Sequence, residues 1–186
     1  MVAEDLDLQS LSKTERLAEV NMYKDITDTT KTDSDYKYPH SYFSNSTKEE
    51  LVLQFVENFR IQYVQLFPTR PALMLSPTNE CGVRKCICTT IKPTELPYVE
   101  FYNYEHCANF LCNYVTYEPL DEPHRLAEVV VSPTTLLEWQ KGDSFDMSCT
   151  LVSFLIGSGY DAYCVSGYAK EDIILNNQSE RLCPDI

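Results

Sequence analysis

The stretch SFDMSCTLVSFLI, Ser144 to Ile156, is apolar around nearly its whole circumference. Gly142 and Asp143 precede it, and Gly157 and Gly159 follow it. A helix with no polar stripe has no face to offer water, so other elements must cover it on several sides. The remainder of the chain is therefore constrained to build a core around this one segment. Asp143 is a good N-cap, Gly142 allows a sharp entry, and the two glycines fit a C-terminal stop. Tyr160 to Tyr168 follows and reads as the one convincing strand.

Helical spacing picks out the elements that would supply the cover. Ser46-Thr47-Lys48-Glu49 is a capping box, and Leu51, Val52, Phe55, Val56, Phe59, Tyr63 and Val64 then recur at helical intervals until Pro68. This predicts the first packed helix of a domain, with a partner-facing helix as the alternative. A second helix is predicted over Tyr104 to Tyr117, with Cys107, Phe110, Leu111, Tyr114 and Val115 on one face. Ser132-Pro133 pairs a cap with an N1 proline and starts a short helix through Gln140 that carries Leu136, Leu137 and Trp139. Between Pro68 and Pro97 no period is sustained, which predicts a long ordered loop.

Residues 1–45 are polar and acidic. Apart from a weak helical pattern around Leu11 to Tyr23, they read as a largely disordered segment that contributes little to folding. Residues 46–168 read as the packed domain, and 169–186 as a polar tail. The expected fold class is α+β, mostly helical, with a buried central helix followed by a strand.

The net charge of −13 disfavours nucleic acid and anionic membranes as partners. No basic-then-apolar leader opens the sequence and no apolar run is long enough to span a bilayer, so an intracellular chain with reduced cysteines is expected. Cys81, Cys86, Cys88, Cys107 and Cys112 lack the twice-repeated pair spacing of zinc sites, so no metal is expected and small buried apolar residues are the better account. No phosphate loop, dinucleotide turn or H-E-x-x-H motif is present, so no cofactor is expected either.

Lys141 to Tyr168, KGDSFDMSCTLVSFLIGSGYDAYCVSGY, resembles the nucleophile helix and following strand of the transglutaminase-like, papain-related fold. Upstream, LPYVEFYN and the W-Q-K-G-x-x-F-D pattern around Trp139 extend the likeness to the axonemal transglutaminase-like and coiled-coil family of nexin–dynein regulatory complex subunits, over roughly Leu51 to Pro184. Members of that family continue well beyond this length, so the resemblance implies an N-terminal portion carrying a partial, degenerate transglutaminase-like domain. It also implies the cytoplasm, the cytoskeleton and the axoneme of cilia and flagella as location, axonemal and regulatory-complex proteins as partners, and a role in ciliary and sperm motility.

Where the papain-related family carries its nucleophilic cysteine, this chain has Ser144. A thiol there would gain thiolate from the helix dipole and pass its proton to a histidine, whereas an alkoxide is far harder to form. The family's histidine and aspartate follow on later strands, but the residues after Tyr168 include no histidine. His40, His106 and His124 all precede the helix, and His106 diverges from Cys107 by about 100° on a helix, so they form no dyad. Cys149 is no substitute for the thiol, because it lies roughly 140° around the helix from position 144. A non-catalytic interaction module is therefore expected. The alternative, a papain-like cysteine-type hydrolase or transferase, is disfavoured by Ser144 and by the missing downstream histidine.

Overall fold

The computed structural model describes residues 10–24, 38–120, 122 and 125–168. The expected polar tail at 169–186, the residues of 1–45 other than 10–24 and 38–45, and His124 lie outside them. The helices are α1 (Lys13–Lys24), α2 (His40–Phe43), α3 (Thr47–Leu66), α4 (Ile87–Thr90), α5 (Tyr104–Tyr114), α6 (Pro133–Trp139) and α7 (Ser144–Gly157). A 3-10 turn over Val99–Tyr102 leads into α5. Two short strands, β1 (Thr116–Tyr117) and β2 (Lys141–Gly142), pair in parallel with Thr116 opposite Lys141 and Tyr117 opposite Gly142. The architecture is mostly helical α+β, as the sequence implied.

The central helix is where the apolar run placed it. α7 packs against α5 and α6. Phe154 of α7, Leu136 and Trp139 of α6, and Cys107 and Leu111 of α5 are buried together in one core. Three polar side chains of α7 are buried too: Asp146, Thr150 and Ser153 are all almost fully enclosed. Ser153 explains how the proline-rich loop ends. Its hydroxyl donates to the Lys92 carbonyl and lies 2.8 Å from Thr94 Oγ1, while the Thr94 N–H reaches the Ser153 carbonyl at 3.0 Å. The loop thereby lies along α7, so close to Gly157 that a Cβ there would collide with the Thr94 backbone. Gly157 is thus a site of close approach, while Gly159, at φ +90°, makes the turn that ends the helix.

Several expectations need correction. The segment 160–168 forms no strand. It runs without a sheet partner among the described residues, with Tyr163 and Val165 among its most exposed side chains, because no described strand offers its backbone a ladder. β1 and β2 form instead where α5 and α6 end. α5 stops at Tyr114 rather than continuing to Tyr117, because the Thr116 N–H is taken by the Gln140 carbonyl at 2.8 Å and the Glu118 N–H by the Gly142 carbonyl at 2.9 Å.

α3 has the expected capping box, Ser46 with Glu49, but not the expected burial. None of its residues is buried, and Leu51, Phe55, Phe59 and Leu66 form an exposed stripe that reaches 73 % exposure at Phe55. The helical period was real, but among the described residues no element covers that face. In the N-terminal segment read as largely disordered, α1 falls where the weak helical pattern lay, and it packs onto the core with Val20 and Arg16 almost fully enclosed. Few apolar residues signal this contact, because charge anchors it.

Candidate functional site

The site to test is the N-terminal end of α7, where the papain-related pattern would place its nucleophile. Asp143 caps the helix. Its Oδ1 accepts from the Phe145 N–H at 2.8 Å and the Asp146 N–H at 3.0 Å, and Asp146 completes a reciprocal capping box. Asp146 turns its other oxygen inwards, where Oδ1 accepts from the Val131 N–H at 2.9 Å. One ammonium group joins the two carboxylates. Lys13 Nζ donates to Asp143 Oδ2 at 2.5 Å, to Asp146 Oδ2 at 2.7 Å and to the Val129 carbonyl at 3.0 Å. An ammonium has three donors, and all three are placed.

The electrostatics follow from burial. Burial alone would lower the Lys13 pKa, but Asp146 and Asp143 outweigh it and hold the ammonium above its ordinary range. Burial pushes the Asp146 carboxyl up to about 6; Lys13 pulls it down, and Asp143 adds to the rise. Alongside, Arg16 Nη2 pairs with Glu118, Nη1 donates to the Leu11 carbonyl at 2.6 Å, and the guanidinium lies 5.1 Å from the Trp139 ring centroid. Lys141 reaches the same Glu118 at 3.3 Å. A cleft of about 300 Å³ opens beside this network, lined by Lys13, Leu17, Glu118, Leu126, Val129 and Asp143 among others.

Ser144 itself is exposed, in the first position of α7. The first N–H groups of the helix, which would favour a thiolate there, are already bonded to Asp143. Two carboxylates face the positive end of the dipole. His40 Nε2 contacts Ser44 Oγ at 3.3 Å, and His106 Nδ1 contacts the Glu100 carbonyl at 3.2 Å, so both bonds are local and neither involves position 144. The arrangement locks a helix end, and among the described residues neither histidine is bonded to Ser144.

The cysteines divide. Cys81, Cys86 and Cys107 are buried, in keeping with an apolar role, whereas Cys88 and Cys112 are exposed. Among the described residues no group of three His, Cys, Asp or Glu side chains is arranged to hold a metal ion. Among them, too, no helix is long and apolar enough to cross a membrane.

Sequence reasoning found Asp143 but missed Lys13, Arg16 and Asp146. A signal was present in the repeat of acid-based caps: Ser12 with Glu15 begins α1 as Asp143 with Asp146 begins α7. It also missed the buried Glu80, whose Oε1 accepts from Ser132 Oγ and Thr135 Oγ1, both at 2.6 Å, and so fixes the start of α6.

No protein-family model matches the chain. Among curated proteins it is 46% identical over 144 residues to dynein regulatory complex subunit 7 of Xenopus tropicalis. It is 47% identical over 148 residues to the Homo sapiens protein of that name and 42% identical over 142 residues to that of Chlamydomonas reinhardtii. These matches cover 77%, 80% and 76% of this chain, but only 17%, 17% and 12% of the relatives. The chain thus spans about a sixth or less of the length of the curated relatives it matches.

Proposed function

We propose, for a chain homologous over about four-fifths of its length to dynein regulatory complex subunit 7 proteins, that it is a non-catalytic interaction component of the axonemal dynein regulatory complex. It works in the cytoskeleton of cilia and flagella and bears on their motility, including that of sperm. Its partners are other axonemal proteins.

The observation that carries this reading is the apolar stripe of α3. Leu51, Phe55, Phe59 and Leu66 recur along one side of a 20-residue helix and remain exposed. A capped helix that presents a continuous apolar stripe is built to meet another protein surface. The net charge of −13 favours a partner that is protein rather than nucleic acid.

The non-catalytic part of the reading is supported by the α7 terminus, where the groups that would activate a nucleophile are consumed by Asp143, Asp146 and Lys13. On this reading a papain-related pattern at 141–168 serves as scaffold only.

The test is to express the tagged chain in a flagellated cell and fractionate the axoneme. The chain is expected in the axonemal fraction. A Leu51→Glu, Phe55→Glu, Leu66→Glu variant should melt like the parent when purified but be lost from that fraction. Retention of the folded variant at parental levels would overturn the proposal.

A further inference from the structure

We infer that the aromatic face formed by α5 and the turn before it docks an arginine-bearing basic segment of a protein partner. The face is a chain of rings. Tyr98 meets Phe101 edge-on at 5.8 Å, Phe101 stacks on Phe110 at 4.5 Å, and Phe110 stacks on Tyr114 at 5.2 Å. His106, Asn109, Phe110, Asn113 and Tyr114 fall at helical spacing on one side of α5, and with Phe101 they line a shallow groove of about 410 Å³. Cys107 and Leu111, on the side turned inwards, belong to the core. Ahead of the helix, Tyr98 and Val99 are 61 % and 75 % exposed, so their apolar surface contributes little to that core.

Charge says what such a face would meet. Residues 93–117, which build it, carry Glu95, Glu100 and Glu105, all exposed, and no Lys or Arg. Among the described residues no ion pair takes up any of these three carboxylates. Glu100 borders the groove, since its carbonyl lies 3.2 Å from His106 Nδ1, and Glu105 precedes His106 on α5.

Aromatic rings turn negative faces to a cation, and unpaired carboxylates beside them add attraction at longer range. A guanidinium suits this combination better than an ammonium. It is planar, stacks on rings, and keeps N–H donors for the carboxylates and for the Asn109 and Asn113 carboxamides. The chain makes the same contact internally: Arg16 lies 5.1 Å from the Trp139 ring centroid and Arg70 lies 4.3 Å from that of Phe67. An acidic segment would be repelled, and an apolar one would desolvate the carboxylates without a counter-charge. The face shares no residue with the apolar stripe of α3, so the two surfaces can be tested apart.

The experiment titrates a fluorescein-labelled peptide of alternating glycine and arginine with the purified full chain and reads anisotropy. Saturable binding is expected, several-fold weaker for the matching lysine peptide and lost for the matching glutamate peptide. Tyr98→Ala, Tyr114→Ala keeps the net charge and should weaken binding about tenfold. Glu100→Gln, Glu105→Gln should weaken it by a similar factor and flatten its salt dependence. Both variants alter exposed side chains, and thermal melts check each fold, so either one reads the groove without the other. Glu50→Gln, Glu128→Gln removes the same charge outside the groove and should leave the affinity within about twofold. The α3 variant Leu51→Glu, Phe55→Glu, Leu66→Glu should not weaken binding. Parental affinity in the folded ring variant would reduce the contact to general attraction by the net charge of −13 and overturn the inference. So would equal weakening in the Glu50, Glu128 control, a titration that never saturates, or tighter binding of a proline-rich peptide.

Discussion

Lys13 and Asp143 stand 130 positions apart in the chain and 2.5 Å apart in space. The ammonium of one fastens the first helix to the cap of the last. Asp143 holds the first N–H groups of α7 with one oxygen and Lys13 with the other, so a single carboxylate closes the helix end and docks α1 onto it.

Removing the cation should therefore cost more than an ordinary surface ion pair. Lys13→Met leaves Asp143 and Asp146 enclosed without their partner, and a loss of about 2–4 kcal/mol is expected, reduced from the fully buried case because Lys13 keeps 19 % exposure. Urea unfolding measures it. Deleting residues 1–24 should also lower the midpoint clearly, whereas a linker would leave it unchanged.

Acid should affect the network in an unusual direction. The folded Asp146 carboxyl titrates near 6, above its ordinary 3.8, so the folded state binds that proton more tightly than the unfolded chain. The stability this contributes is complete below about pH 4 and is lost as pH rises through 6. Relative to Asp146→Asn, the parent should therefore gain on going from pH 7 to pH 4, by at most about 3 kcal/mol. Paired unfolding curves at both pH values decide it; a parent that lost stability relative to the variant on acidification would contradict the assignment.

The two glycines after α7 should answer differently to alanine. At Gly157 a Cβ meets the Thr94 backbone, so the loop that covers α7 must shift, at a cost of about 1–3 kcal/mol as in other overpacked sites. At Gly159 nothing lies within contact range, and only the left-handed φ of +90° resists substitution, by about 1 kcal/mol. Thermal melts of the two variants should rank in that order.

Apolar residues on α3 and α7 should separate just as sharply. Phe154→Ala empties a fully enclosed position and should cost about 3–5 kcal/mol. Phe55→Ala, at 73 % exposure, should stay within about 0.5 kcal/mol in the isolated chain. A large loss at Phe55 in the isolated chain would show that its face is already covered.

Restoring a thiol should not restore chemistry. Ser144→Cys is expected to show no native-state labelling by an activity-based cysteine probe beyond that of an exposed thiol, because the helix N–H groups there are already committed to Asp143. Stoichiometric labelling at position 144, accompanied by hydrolysis, would reverse this reading.

Local chemistry made much of the fold legible in the sequence. The capping box at Ser46 and Glu49, the Ser132-Pro133 start and the apolar run between Asp143 and Gly157 each depend on neighbours within a turn or two, so residue order alone announces them. Periodicity likewise shows that α3 has apolar faces. It does not say whether anything covers them, because burial belongs to the partner surface, and Leu51, Phe55, Phe59 and Leu66 stay exposed. The strand expected at 160–168 failed for a related reason: β-propensity is realised only when a second backbone offers hydrogen bonds. Only the tertiary structure could place Lys13 between Asp143 and Asp146, or Arg16 against Glu118 and Trp139. Those contacts join residues more than a hundred positions apart through charge, which leaves no period and no composition bias to read.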